Sequence, residues 1–272
     1  MSSQNKYDIN PGQALKLFLK ELYPPSQRDQ TCSIFKMDDA LASDGRLFEL
    51  AYESSINYLI RRLLTTTEYL SNKFNPAEYP SGRYIEEVRR FLKEYTHIPR
   101  NKTEKLLILL LDCLREKFKE PSATTKRNLI RRARDTGQRC YICGCSLDFE
   151  QENLYNSAII EHVWPRSLGG ASDNTNLRVS CKRCSEIKSN YIDVADFHYE
   201  EICLSSDKNS VHFFNSLEWE YRIAILMKNS FSCVICGKEP AYEGELEFCR
   251  QETEDSWHFL NVDTYCSQHA RE

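Results

Sequence analysis

The sequence predicts a mainly helical protein with a small zinc-bound α+β domain in its middle and a second zinc-knuckle unit at its C-terminus. Three observations lead there. The first 125 residues space apolar side chains at helical periodicity and group no His, Cys or carboxylates at catalytic spacing. Twelve cysteines, six of them in CxxC pairs, suit metal better than disulfides in a chain that begins MSSQNKYDIN, without the charged-then-apolar pattern of an export signal. Finally, CYICG at 140–144 returns as CVICG at 233–237 behind another helical stretch, a two-copy repeat of helix plus knuckle.

The helical reading of residues 1–122 rests on particular stripes. Leu47, Phe48, Ala51, Ile56, Leu59, Ile60 and Leu63 form one. Ile85, Val88, Phe91, Leu92 and Tyr95, behind Ser81 as N-cap, form another. Asn101 and Glu104 suggest a capping box ahead of the nearly unbroken run Leu106–Leu111, which predicts a helix central to a small bundle. Pro24-Pro25 ends the first helix, and Pro121-Ser122 marks the junction with the next domain. Residues 123–190 then form the α+β domain, and residues 191–272 a helical segment (helices around 190–203 and 214–229) plus the C-terminal knuckle unit.

Composition excludes several classes. Hydrophobic residues make up 41% and charged residues 28% of the 272, as in ordinary globular chains. The apolar run at 106–111 falls far short of the roughly 20 residues needed to span a bilayer, so no membrane association and a cytoplasmic location are expected. The net charge of −4 is uneven: residues 1–125 carry +2, residues 126–190 carry +4 and residues 191–272 carry −10. A basic centre beside an acidic tail suits a middle segment that meets phosphates. Within it, Lys126, Arg127, Arg131, Arg132 and Arg134 crowd a basic helix before the first knuckle.

Two four-ligand zinc sets follow from spacing. Cys140, Cys143, Cys181 and Cys184 form the first, with Gly144 where a positive φ is often needed and Cys145 as the lesser competitor. Cys233, Cys236, Cys266 and His269 form the second, where Cys249 or His258 could substitute. Both sets are closed, leaving no position for water, and so read as structural zinc.

Between the knuckles of the first set lies a strand-like Ile159-Ile160-Glu161-His162, then Gly169-Gly170, a polar loop, Asn176, the strand-like Leu177-Arg178-Val179, and Lys188 four residues past the last Cys. This series resembles the HNH endonuclease family over about residues 126–190. The resemblance implies a ββα-metal (HNH) fold and metal-dependent hydrolysis of phosphodiesters, with double-stranded DNA as the expected substrate. It implies His162 as general base, Glu161 as acidic ligand of a catalytic Mg or Mn ion, and Asn176 as the residue that fixes the loop. The chemistry agrees, because a neutral imidazole can take a proton from water near pH 7 and a hard oxygen-bound cation can relieve phosphate charge. Ser185 stands where the family places a His or Asn ligand. Arg183, Lys188, Arg131 and Arg134 are the expected phosphate contacts. The resemblance also implies a bacterial mobile-element or antiviral-defence setting, with a protein partner docking on the N-terminal helices. A zinc-dependent nucleic-acid-binding module without catalysis, or an adaptor, are the competing readings.

Overall fold

The computed structural model describes residues 9–24, 45–74, 82–197, 203–205, 218–254 and 257–270. The chain divides into two compact units, one formed by residues 1–120 with 162–176 and the other by 121–161 with 177–272. About half of the structure is helical, with small two-stranded sheets and two thiol clusters.

In the first unit, α1 (Pro11–Leu22) starts at Asn10, whose side chain accepts the Gln13 N–H while the Gln13 side chain accepts the Asn10 N–H, with Pro11 preset at the first helical position. α2 (Gly45–Lys73), α3 (Arg83–Tyr95) and α4 (Arg100–Lys117) complete the bundle. The predicted central helix is α4: it packs against α1, α2 and α3, and buries Leu106, Leu107, Leu110 and Leu114. Ser81 and the side chains of Leu47 and Phe48 lie outside the described residues. The expected capping box at Asn101 does not form. The N-cap is Pro99, one residue before Arg100, and Glu104 is drawn away to Arg89 at 2.8 Å. The 162–176 segment joins this bundle through a tight contact. The Gly12 N–H donates to Gly169 C=O at 3.0 Å, and a Cβ on Gly12 would stand 2.1 Å from both Trp164 Nε1 and Leu168 O.

In the second unit, α5 (Ala123–Asp135) is capped by Ser122, whose Oγ accepts the Thr125 N–H at 3.0 Å. β1 (Ala158–His162) pairs with β2 (Leu177–Cys181), which runs directly into α6 (Lys182–Lys188). The helix expected around 190–203 is absent from the described residues. Asp193 accepts the Ala195 N–H and Asp196 accepts the Ile192 N–H, holding a short 3-10 turn at Val194–Asp196, and Cys203–Ser205 is a strand, β3. α7 (Trp219–Lys228) packs against α6 and against β6 (Val262–Tyr265). The short helix α8 (Pro240–Glu243) precedes β4 (Glu247–Arg250), which pairs antiparallel with β6. β3 pairs with β5 (Trp257–His258). No described helix is long and apolar enough to cross a membrane.

Candidate active site and metal centres

Two thiol clusters form where CxxC turns face a second pair of ligands. Sulfurs on a tetrahedral Zn–S shell of about 2.3 Å stand roughly 3.8 Å apart. Cys143 and Cys181 Sγ lie 3.9 Å apart, and Cys236 and Cys266 Sγ 3.8 Å apart. His269 Nδ1 lies 3.7 Å from Cys233 Sγ and 3.3 Å from Cys266 Sγ. Both donor sets therefore fit tetrahedral zinc. One thiol in each cluster is held clearly below the ordinary thiol value. Burial pushes the Cys233 thiol up, but N–H groups of Cys266, Cys236 and Ile235 bring it down to about 6. Hydrogen bonds from the Cys143, Cys145, Cys181 and Cys184 thiols hold Cys140 well below the ordinary thiol value.

The second cluster contains the four residues read from spacing, Cys233, Cys236, Cys266 and His269. The first differs in one member. The ligand atoms that all lie within 4.8 Å of one another belong to Cys140, Cys143, Cys145 and Cys181. Cys184 stands outside that quartet, although its thiol bonds with Cys140, Cys143 and Cys181 and its N–H donates to Cys181 Sγ. Cys145 enters because the knuckle turns back on itself: Gly144 takes φ +77°, and the Cys140 N–H donates to Cys145 C=O at 3.0 Å.

Glu161 and His162 are consecutive residues at the end of β1, where alternate side chains take opposite faces. Their partners differ accordingly. Glu161 Oε2 accepts a short hydrogen bond from Ser185 Oγ, and Oε1 accepts from Lys188 Nζ at 3.1 Å. The Lys188 side chain is fully buried, while the Glu161 side chain keeps 13% exposure. Burial pulls the Lys188 pKa down, while the Glu161 carboxylate opposes the shift. Lys188, expected on a phosphate, is thus the counter-ion of the acidic residue.

His162 Nε2 lies 3.1 Å from Ser172 Oγ, and that hydroxyl donates its single proton to Lys119 C=O at 2.7 Å. Ser172 can therefore only accept from the ring, so Nε2 carries the proton and, in the neutral imidazole, Nδ1 holds the lone pair. Asn176, 3% exposed, secures the loop that follows. Its Oδ1 accepts the Trp164 N–H at 2.7 Å, and its Nδ2 donates to Trp164 C=O at 2.9 Å and Ala171 C=O at 3.0 Å. The Val163 N–H donates to Asn176 C=O at 2.8 Å. Gly170 has no room for a side chain there, since a Cβ would meet Trp164 O at 1.9 Å.

The arginines expected on phosphate have these surroundings. The Arg183 guanidinium lies between two rings, 4.2 Å over Tyr155 and 4.4 Å over Trp219. Arg134 donates to Phe149 C=O at 3.1 Å and pairs with Glu150, and together with Arg131 it lines a hollow on the α5 surface. The sequence reading missed Ser172, Tyr155 and Trp219. A hydroxyl or ring that meets its partner only after folding leaves no spacing signal.

No curated protein and no solved structure matches the chain. Residues 140–196, about a fifth of the chain, match the family model of the HNH endonucleases.

Proposed function

We propose that the protein is a metal-dependent nuclease that hydrolyses phosphodiester bonds of DNA, with His162 as the general base. The observation that carries this reading is the fixed imidazole: Ser172 holds the Nε2–H, and Nδ1 is the nitrogen that accepts the proton of an attacking water. Asn176 keeps the backbone that follows the strand in one conformation, so the base does not drift from its working position. Glu161, with the Ser185 hydroxyl, offers the oxygen donors that a hard divalent ion takes. Because Lys188 already balances the Glu161 charge, Mg or Mn held there would draw the rest of its coordination from water and phosphate oxygens. When bound, such an ion relieves charge on the scissile phosphate and the departing oxygen. Zinc at the two thiol clusters has a structural role, since both are closed sets. Backbone contacts from the basic α5 face, including Arg131 and Arg134, would supply affinity that falls with salt.

The test is a cleavage assay over duplex and single-stranded DNA and RNA in Mg or Mn. Cleavage of duplex DNA, falling at least 100-fold in His162→Ala with zinc content kept, is the expected result. Cleavage unaffected by His162→Ala would overturn the reading. One observation favours a second reading, a nucleic-acid-binding module without catalysis: the Ser185 hydroxyl is engaged by Glu161. DNA binding with no cleavage in any divalent ion would select it. The phage-defence setting and a partner on the N-terminal helices belong to the same proposal, and copurification of a partner subunit tests them.

A further inference from the structure

The family match stops at residue 196, yet the hydrogen bonds of the HNH segment recur beyond it. At the exit from α5, Thr136, Gly137 and Gln138 N–H donate to Arg132, Arg134 and Ala133 C=O. At the exit from α7, Asn229, Ser230 and Phe231 N–H donate to Ile225, Met227 and Leu226 C=O, each 93 residues later. The knuckles close alike. Gly144 N–H donates to Cys140 C=O and Cys140 N–H to Cys145 C=O, as Gly237 N–H does to Cys233 C=O and Cys233 N–H to Lys238 C=O. Each knuckle then joins the strand that runs into Cys181 or Cys266. Tyr141 N–H donates to Val179 C=O, and Val234 N–H donates to Thr264 C=O.

The correspondence reaches the catalytic loop. Gln251 N–H donates to Asn261 C=O at 2.8 Å, as Val163 N–H does to Asn176 C=O. Asn261 Oδ1 accepts the Glu252 N–H at 2.9 Å and its Nδ2 donates to Glu252 C=O at 3.0 Å, the bonds Asn176 makes with Trp164. Asn261 is likewise buried, 2% exposed. Counting back one and two residues from Gln251 puts Arg250 at the place of His162 and Cys249 at the place of Glu161. His269 stands three residues past Cys266 as Cys184 stands three past Cys181, so Ala270 falls at the place of Ser185. An arginine cannot act as a base near neutral pH, and Ala270 offers no ligand. Arg250 instead lies 5.0 Å over the Trp257 ring.

This second copy also touches the first knuckle. Arg139 N–H donates to Ala241 C=O at 3.1 Å, and its Nη1 donates to Gly144 C=O at 3.2 Å. Tyr141 packs edge-on against Phe231 with centroids 5.3 Å apart. A Cβ on Gly144 would stand 2.2 Å from Gly244 O, whereas the matching Gly237 has open space.

We infer that residues 219–270 are a second HNH-type zinc module, catalytically silent, whose role is to brace the zinc knuckle of the first. The inference rests on the fold of residues 140–196 and does not depend on the proposed DNA cleavage. The full-length protein tests it with zinc retention against a chelator, thermal unfolding and, where activity is present, cleavage. Cys266→Ser should lower zinc from two per chain to one, and the remaining zinc should be lost at least tenfold faster than in the unaltered chain. Arg250→Ala should keep both zincs and leave cleavage within about twofold. Gly144→Ala and Gly237→Ala share the positive-φ strain (+77° and +71°), so a larger drop in unfolding temperature for Gly144→Ala isolates the bracing contact even if Cys266→Ser does not fold. Loss of cleavage in Arg250→Ala would overturn the silence of the second module. An unchanged release rate for the remaining zinc in Cys266→Ser, or equal drops for the two glycine variants, would overturn the bracing.

Discussion

Replacing Asn176 with Ala removes the side chain that accepts the Trp164 N–H in its buried loop, and strips one partner each from Trp164 C=O and Ala171 C=O. An orphaned buried donor costs about 1–3 kcal/mol, and each weakened carbonyl adds a smaller amount because its second lone pair is less demanding. The three together come to about 2–5 kcal/mol, before any collapse of the side-chain cavity relieves part of it. Urea unfolding in zinc-saturated buffer reads this as a lower midpoint at constant slope. Cleavage measured where both proteins are folded should fall at least tenfold, because His162 ends the strand that this loop continues. Asn261→Ala should lose stability of the same order, since it makes the matching bonds to Glu252, yet leave cleavage nearly intact. A loss under about 1 kcal/mol for Asn176→Ala, or equal effects of the two variants on cleavage, would refute the assignment of Asn176 to the loop that serves the base.

Three further outcomes follow from the geometry. Lys188→Met leaves the Glu161 carboxylate without its buried counter-ion and should cost about 3 kcal/mol, the lower end for breaking a buried pair, read by the same urea titration. Ser172→Ala should alter the Nε2-protonated tautomer of His162, visible in long-range ¹H–¹⁵N spectra of the ring, and lower kcat more than it changes KM, while Ser172→Thr restores both. An unchanged spectrum in Ser172→Ala would dismiss the hydroxyl as a positioning group. Gly12→Ala should lower the melting temperature by several degrees, because its Cβ would overlap Trp164 and the Leu168 carbonyl, and calorimetry checks it.

Much was readable in the sequence because its signals are local. A CxxC turn presents two sulfurs within four residues, and a helical stripe repeats every three or four. Hence both knuckles, the central helix and the HNH series were visible without coordinates. Local signals also misled: Asp193 and Asp196 hold a short turn where helix was expected, and Pro99 caps α4 two residues ahead of the proposed cap, Asn101.

By itself, then, the order of residues determined which side chains were available for chemistry: the imidazole of His162, the carboxylate of Glu161, the amide of Asn176 and the thiols of both knuckles. Tertiary structure alone decided what each one touches. It placed Cys145 in the tight quartet and Cys184 outside it, gave Lys188 to Glu161, laid Arg183 between Tyr155 and Trp219, and set Asn261 in the role of Asn176. The reason is range. Strand register and helix packing bring together residues tens of positions apart, and no periodicity or spacing in the chain encodes which of several suitable partners will be nearest once the core closes.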